Sequence, residues 1–379
     1  MCKQFGKTMG RGKHNLKPRA RPKRNLPAYD KTLVQSRSDL PIPKAIDGYW
    51  YVPEKLGSRL HQKSSLGILV DDGGVLLNSE EVMFCHWHRH VPLPSEEWFE
   101  NQIESDQDFL HRSILFEYIR GGGVQLVPVE NTKMWENEPS GLSHFLKWRK
   151  DQNPAIEPPE SQVMWARTSS PINWKQILQW VNDCYNSNTF PELYIIDDEF
   201  DVTMYLLKDI SPSGNLDSWD DLSTEEKTKI LSLIQKIEYS SDGGFLRTNE
   251  WFWDQIGVPH ASGIFFSNEE LNYLTTLNAI GDEKAHETIY QNLVSRGLLV
   301  RPGFKYGAKW RVYDQSMKET HADWLIQPPK NAPINLESLC LSVRLAEGVN
   351  KLWTQVIKSN EECKFIGVKR ILPDKKLIF

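Results

Sequence analysis

Long apolar runs are missing from this 379-residue sequence. None approaches the ~20 residues a helix needs to cross a bilayer, and the N-terminus has no apolar core of the kind a secretory signal carries, so the expected location is the cytoplasm. Cysteine is scarce: Cys2, Cys85, Cys184, Cys340 and Cys363 are scattered, odd in number and without a CxxC pair. That pattern supports neither a disulfide framework nor a zinc ribbon. A P-loop is lacking, because the glycines at 121–123 are not followed by Lys-Ser/Thr at the head of a helix. The CHWHRH run at 85–90 has no acidic or cysteine partner at finger spacing, so no metal and no cofactor are expected.

Acidic residues are absent from one stretch. Between Met1 and Arg24 there are nine Lys/Arg and no Asp or Glu, although the whole chain carries a net charge of −5. This segment cannot bury a core and is expected to be disordered. It is either a basic arm that meets RNA phosphates or a solubilising tail.

What is present is repetition, in a chain too long for one compact core. GVLLNSEEVMF (74–84) is echoed by GIFFSNEELNY (263–273), GVQLVP (123–128) by GLLVRP (297–302), ESQVMW (160–165) by ETHADW (319–324), and SPINWKQIL (170–178) by APINLESLC (332–340). Four matches in one order indicate two copies of one unit. The expected fold class is α/β (mixed α+β), as two tandem copies of a two-domain unit, each with an N-terminal α/β domain and a C-terminal nuclease-like α/β domain. The boundaries read as a basic tail (1–45), the N-terminal (46–128) and C-terminal (129–215) domains of the first repeat, and the N-terminal (216–285) and C-terminal (286–379) domains of the second.

After the second PIN sequence a helix is expected. Asn335 suits the N-cap and Glu337 the first turn, while Leu336, Leu339, Val343, Ala346, Val349, Trp353 and Val356 form an apolar stripe. Arg344 and Lys351, seven apart, would share a face. Such a pair is either a solvated basic face or a site for something anionic. Continued without a gap from the PIN sequence, the first copy has Asn182 for Arg344 and Thr189 for Lys351; in the aligned ESQVMW strand, Gln162 stands for His321. The second copy then reads as the working unit and the first as a scaffold.

The stretch GFKYGAKWRVYDQSMKETHADWLI (303–326), then Lys351 thirty residues after His321, then KFIGVKR (364–370), resembles the catalytic domain of the tRNA-splicing endonucleases, or tRNA-intron lyases. The architecture is similar to the archaeal homodimeric type, in which a degenerate repeat precedes an active one. The resemblance is strongest over 286–379, weaker over 46–285 and absent before. It implies cleavage of precursor tRNA at a bulge-helix-bulge, with Tyr313 as general base, His321 as general acid and Lys351 steadying charge. It also implies that Arg344 and Arg370 clamp a flipped-out base. LYIIDDEFDVTMY (193–205) resembles the acidic loop this family inserts into a neighbouring subunit, which makes Asp197, Asp198, Glu199 and Asp201 contacts of a homodimer. The apolar tail 377–379 would extend an edge strand across the same axis.

RNA carries its own nucleophile, the 2′-hydroxyl, so cleavage needs a base, an acid and a countercharge, and no metal. Histidine donates a proton near neutral pH, whereas tyrosine, with a reference pKa of ~10, needs cations to hold its phenolate. The expected products are a 2′,3′-cyclic phosphate and a 5′-hydroxyl. Tyr306 competes for the role of base and is read as strand packing against the helix. The rival functions are a non-catalytic RNA-binding scaffold subunit of a splicing complex, and a metal-dependent nuclease using Glu319, Glu361 or Glu362 near Lys369.

Overall fold

A computed structural model describes residues 36–132, 139–280, 288–317, 320–359, 362–372 and 377. The basic stretch 1–24, the ends of the 377–379 tail, and Glu319 and Glu361 lie outside the described residues. The first half runs β1 (Lys44–Ile46), β2 (Tyr49–Val52), α1 (Glu54–Ser64), β3 (Ile68–Leu69), β4 (Val75–Leu77), α2 (Ser79–Arg89), α3 (Trp98–Ser105), α4 (Phe109–Gly121) and β5 (Gln125–Pro128). It continues with β6 (Phe145–Trp148), β7 (Ser161–Arg167), α5 (Trp174–Asn186), β8 (Phe190–Ile196) and β9 (Val202–Ile210). The second half follows with α6 (Thr224–Ile234), β10 (Glu238–Ser240), β11 (Gly243–Leu246), β12 (Val258–His260), β13 (Gly263–Ser267), α7 (Asn268–Ile280) and α8 (Ile289–Ser295). Last come β14 (Leu299–Pro302), β15 (Trp310–Tyr313), β16 (Trp324–Gln327), α9 (Leu336–Gly348), β17 (Leu352–Ser359) and β18 (Glu362–Ile371). Among the described residues no helix is long and apolar enough to cross a membrane.

Among the described residues the mixed α/β fold has three sheets. Two are four-stranded, ordered β1-β2-β4-β3 and β10-β11-β13-β12, and one is ten-stranded, ordered β14-β15-β16-β17-β18-β9-β8-β7-β6-β5. Outward from the β9–β18 centre, both wings of the large sheet are antiparallel except for one parallel pair each, β7–β8 and β16–β17. A parallel pair needs a crossover of a dozen or more residues, and α5 and α9 supply it. Both helices begin at the asparagine of their PIN sequence: Asn173 Oδ1 accepts from the Gln176 N–H at 3.2 Å, and Asn335 Oδ1 from the Ser338 N–H at 3.0 Å. The two PIN segments also meet. Ile172 N–H donates to the Ile334 carbonyl at 3.2 Å, and Leu336 N–H to that of Ser170 at 3.1 Å.

The large sheet is covered on both sides. Leu193, Ile195, Trp353, Ile357, Ile366 and Val368 pack beneath α5 and α9 with Ile177, Trp180, Leu339 and Val343. The alternate residues point the other way: Tyr194 and Ile196 join the core of the first small-sheet domain, and Val356 and Phe365 that of the second. The middles of β8, β17 and β18 are thus buried on both faces, Thr354 and Gln355 included.

The apolar stripe of the expected helix overran its end. α9 stops at Gly348, Asn350 turns the chain at φ 55°, and Trp353 and Val356 belong to β17. Lys351 is therefore not on a helical face with Arg344. Tyr306, expected in a strand, sits in a 3₁₀ turn (Phe304–Tyr306) between Gly303 and Gly307, though it does pack on the α9 core.

The repeated EE blocks do the same work twice. Glu81 accepts from the Gly67 and Asn78 N–H groups at 2.8 and 3.0 Å, and Glu270 from those of Gly257 and Ser267, both at 2.8 Å. Each carboxylate caps a helix and ties it to a loop. Glu270 also pairs with buried Arg301 at 3.1 Å. At Glu81, burial pushes the carboxyl up to about 7 against the hydrogen-bond donors that favour its charged form. A raised folded-state value means that this group's stability contribution is present below the unfolded value of ~4.3 and lost as pH rises through the folded one. Urea unfolding at about pH 5 and about pH 8 is expected to show the wild type losing on the order of 3 kcal/mol more than Glu81→Gln over that range; equal losses would contradict this assignment.

Candidate active site

WRVYDQSMKETHADW folds as the sequence suggested: β15 ends at Tyr313, a turn follows, and β16 begins at Trp324. The ladder pairs Val312 with Trp324, and the Asp323 N–H donates to the Val312 carbonyl at 3.1 Å. β16 in turn runs parallel to β17, with Trp324 beside Leu352 and the Leu352 N–H on the Asp323 carbonyl at 2.9 Å. The end of β15, the start of β16 and the start of β17 are thus neighbours.

Ala322 is where two of the three expected catalytic residues, Tyr313 and Lys351, meet. Its side chain packs in a small cluster with Tyr313 and Leu299. Its carbonyl accepts from Lys351 Nζ at 2.7 Å. His321 is the residue before it, and it is exposed. Tyr313 is buried at 6 % exposure, so its ring has one fixed place. The Arg311 guanidinium lies over that ring, 5.8 Å from the centroid, because residues two apart on a strand share a face. This cation beside the phenol was not foreseen, although RVY is a legible i, i+2 pattern.

Arg344 and Arg370 are brought together around a different residue. Burial raises the Cys340 thiol, while a hydrogen bond from Tyr205 and the charges of Arg370 and Arg344 oppose the rise, and Asp197 adds to it. Both arginines are exposed; Arg370 Nη1 is 3.9 Å from Glu347, three residues after Arg344 on α9. In the β17–β18 ladder Trp353 faces Val368, so Lys351 and Arg370, each two residues further out, lie at the same end of that pair.

The acidic segment is a tight turn joining β8 to β9. Asp197 Oδ1 accepts from the N–H groups of Glu199 and Asp201 at 3.0 and 2.8 Å, so its carboxylate holds the turn together. Asp198, Glu199 and Asp201 are exposed. The histidine run lies on α2, where His86 Nδ1 is 2.9 Å from the Val91 carbonyl oxygen and His88 pairs with Glu117 at 3.1 Å.

One equivalence drawn from the echoes is corrected by the ladders. Asn188 and Asn350 share a positive φ, 54° and 55°, which sets Thr189 level with Lys351 as expected. From there Phe190 pairs with Ser161, and Leu352 with Trp324, so Ser161 lies level with Trp324. His321, three residues before Trp324, is level with Pro158, not with Gln162. Gln162 is instead a buried structural residue, its amide donating to Ser187 and Thr189 and its carbonyl oxygen accepting from Ser143. It says nothing about whether the histidine is dispensable.

The sequence reading also passed over the two acids at the mouth of the hairpin. Partial burial and the neighbouring Asp314 raise the Asp323 carboxyl above the usual range, while Lys351 acts to lower it. The signal was present in the order Tyr-Asp and His-Ala-Asp.

Residues 284–365 match the family described as tRNA intron endonuclease, catalytic C-terminal domain. The chain is similar to a tRNA-splicing endonuclease of Picrophilus torridus, 29 % identical over 53 % of this chain and 63 % of the relative. It is 29 % identical to that of Thermoplasma volcanium over 48 % of this chain and 56 % of the relative. With that of Methanosarcina mazei it shares 23 % identity over 72 % of this chain and 81 % of the relative. The match thus spans less than two thirds of the length of the first two relatives. The residues that match the tRNA intron endonuclease catalytic domain, 284–365, hold the hairpin of Tyr313 and His321 and the turn of Lys351.

Proposed function

We propose that the chain is an RNA endonuclease that acts in the cytoplasm and excises introns from precursor tRNA at bulge-helix-bulge junctions. Cleavage is a metal-independent transesterification. Tyr313 takes the 2′-hydroxyl proton, the 2′-oxygen attacks phosphorus, and the bond to the 5′-oxygen breaks as His321 protonates the leaving oxygen. Lys351 stands against the charge on the non-bridging oxygens. The products are a 2′,3′-cyclic phosphate and a 5′-hydroxyl. The observation that carries this reading is the convergence on Ala322, whose side chain packs with Tyr313, whose carbonyl receives Lys351 and whose preceding residue is His321.

Arg344 and Arg370 grip an unstacked base of the bulge, a use that suits planar guanidinium groups. The repeat boundaries are those read from the sequence: 46–215 forms a degenerate unit and 216–379 an active one. Matched strand orders, the contact between the PIN segments and the paired Glu81 and Glu270 constellations support the duplication. Two chains associate as a homodimer through the acidic turn, which supplies two sites for two scissile bonds. The basic arm adds contacts to RNA phosphates.

Cleavage of intron-bearing precursor tRNA in EDTA, with end-group analysis, tests the reaction. His321→Ala is expected to lose roughly 10²–10⁴-fold in rate with the fold retained; a wild-type rate would remove His321 as the acid, and loss of wild-type activity in EDTA would overturn the metal-free chemistry. The dimer is tested separately by sedimentation. Replacing Asp198, Glu199 and Asp201 together by their amides is expected to give monomers, whereas a dimer unaffected by those changes would place the interface elsewhere.

A further inference from the structure

β15 carries a charge in an unfavourable place. Arg311 lies within that strand, two residues before Tyr313 and on the same face, with its guanidinium carbon 5.8 Å from the centre of the Tyr313 ring. The ladders decide what else it meets. On β14 its Cα partner is Arg301, and on β16 it is Leu325. Residues directly opposite each other in an antiparallel pair share a face, and like charges placed so are destabilising. Between an arginine and a leucine, an apolar side chain would suit the strand better.

Only one of the two facing arginines is neutralised. Arg301 is buried, its Nη1 lies 3.1 Å from Glu270, and the carbonyls of Gln255 and Gly257 accept from the same guanidinium at 3.1 and 2.8 Å. Arg311 is half-buried, and among the described residues no carboxylate pairs with it; its Nε is closed off from solvent without a hydrogen-bond partner. What it does meet is the face of Tyr313, a ring fixed by packing with Leu299 and Ala322. The other charged groups near the phenol are Asp314, next in the chain, His321 and Asp323 on either side of Ala322, and Lys351, whose Nζ donates to the Ala322 carbonyl at 2.7 Å.

We propose that Arg311 is a positioning residue for the base step: its guanidinium, held against the Tyr313 ring, stabilises the phenolate that takes the 2′-hydroxyl proton. The role rests on the endonuclease reading and acts through Tyr313, not on the RNA itself. The negative charge of a phenolate spreads into the ring, so a cation over the face attracts the phenolate more strongly than the phenol. As the proton moves from the 2′-oxygen to the phenolate oxygen, the tyrosine becomes neutral and the charge passes to the attacking oxygen and on to phosphorus. Placing a cation opposite Arg301 lowers the stability of the strand pair, and help in this step is what offsets it.

The test is kcat/KM for cleavage of a bulged RNA, together with thermal unfolding, for wild type, Arg311→Met and Arg311→Lys. Methionine keeps an unbranched side chain and removes the charge. Arg311→Met is expected to be at least as stable as the wild type and to lose about tenfold in rate near neutral pH. The loss shrinks as the pH rises, because hydroxide then removes the phenol proton unaided, and Arg311→Lys keeps most of the rate. A loss that is the same at every pH, or one that follows a fall in stability and is not restored by lysine, would reduce Arg311 to a structural residue and overturn the proposal. A second readout is independent of activity: carbon NMR of tyrosine labelled at Cζ, with the Tyr313 signal identified by its absence from Tyr313→Phe. That signal is expected to reach the phenolate position at lower pH in the wild type than in Arg311→Met, and identical titrations would also overturn the proposal. If the wild type cleaves no RNA, the endonuclease reading is what fails, and the tyrosine titration still decides whether Arg311 favours the phenolate.

Discussion

The antiparallel pairing of β9 with β18 is the constraint on which the rest depends. It runs from Phe365 opposite Ile210 to Ile371 opposite Met204 and turns two five-stranded wings into one continuous sheet. Without it each wing would present a long apolar edge to solvent. With it, the central strands are buried on both faces, and the architecture follows. α5 and α9 share the core on one side, and on the other side each small-sheet domain covers its own wing. The contact between the two PIN segments is the counterpart of the junction in the helical layer.

The same junction locates the chemistry. Because β18 runs antiparallel to both β17 and β9, its C-terminal end lies beside the start of β17 and the start of β9. Lys351, Arg370 and the acidic turn between β8 and β9 therefore collect at one end of the sheet. Strand ends suit this work. A buried ladder fixes the backbone to within fractions of an ångström, while the last residue is free of the next pair and can carry a polar side chain into solvent. Lys351 stands at such a point, Tyr313 is buried at the end of β15, and Ala322 is small enough to let them approach the same place.

Electrostatics at that end is mixed by necessity. Arg311, Lys351, Arg344 and Arg370 place cations at that end, yet Asp314, Asp323 and Asp197 lie among them. Asp197 is occupied by its own turn.

Much of this was legible in the residues, and the failures have physical causes. The N-caps at Asn173 and Asn335, the strands on either side of DQSMKE and the repeated blocks depend on interactions within about four residues, so local sequence reports them. The end of α9 was misread because Trp353 and Val356 continue the helical period by coincidence; a strand buried on both faces carries apolar residues at every spacing. Gln162 was set against His321 because ETHADW looks like ESQVMW, but register belongs to the partner strand, and the parallel ladders set Ser161, not Trp165, level with Trp324. What the sequence determined by itself was the kinds of groups present, the helix starts and the order of elements. Only the tertiary structure decided which strand ends meet, and hence that Tyr313, Ala322 and Lys351 converge and that Arg311 covers the phenol, because each of these contacts depends on ladder register, which side-chain chemistry sets only once the strands pair.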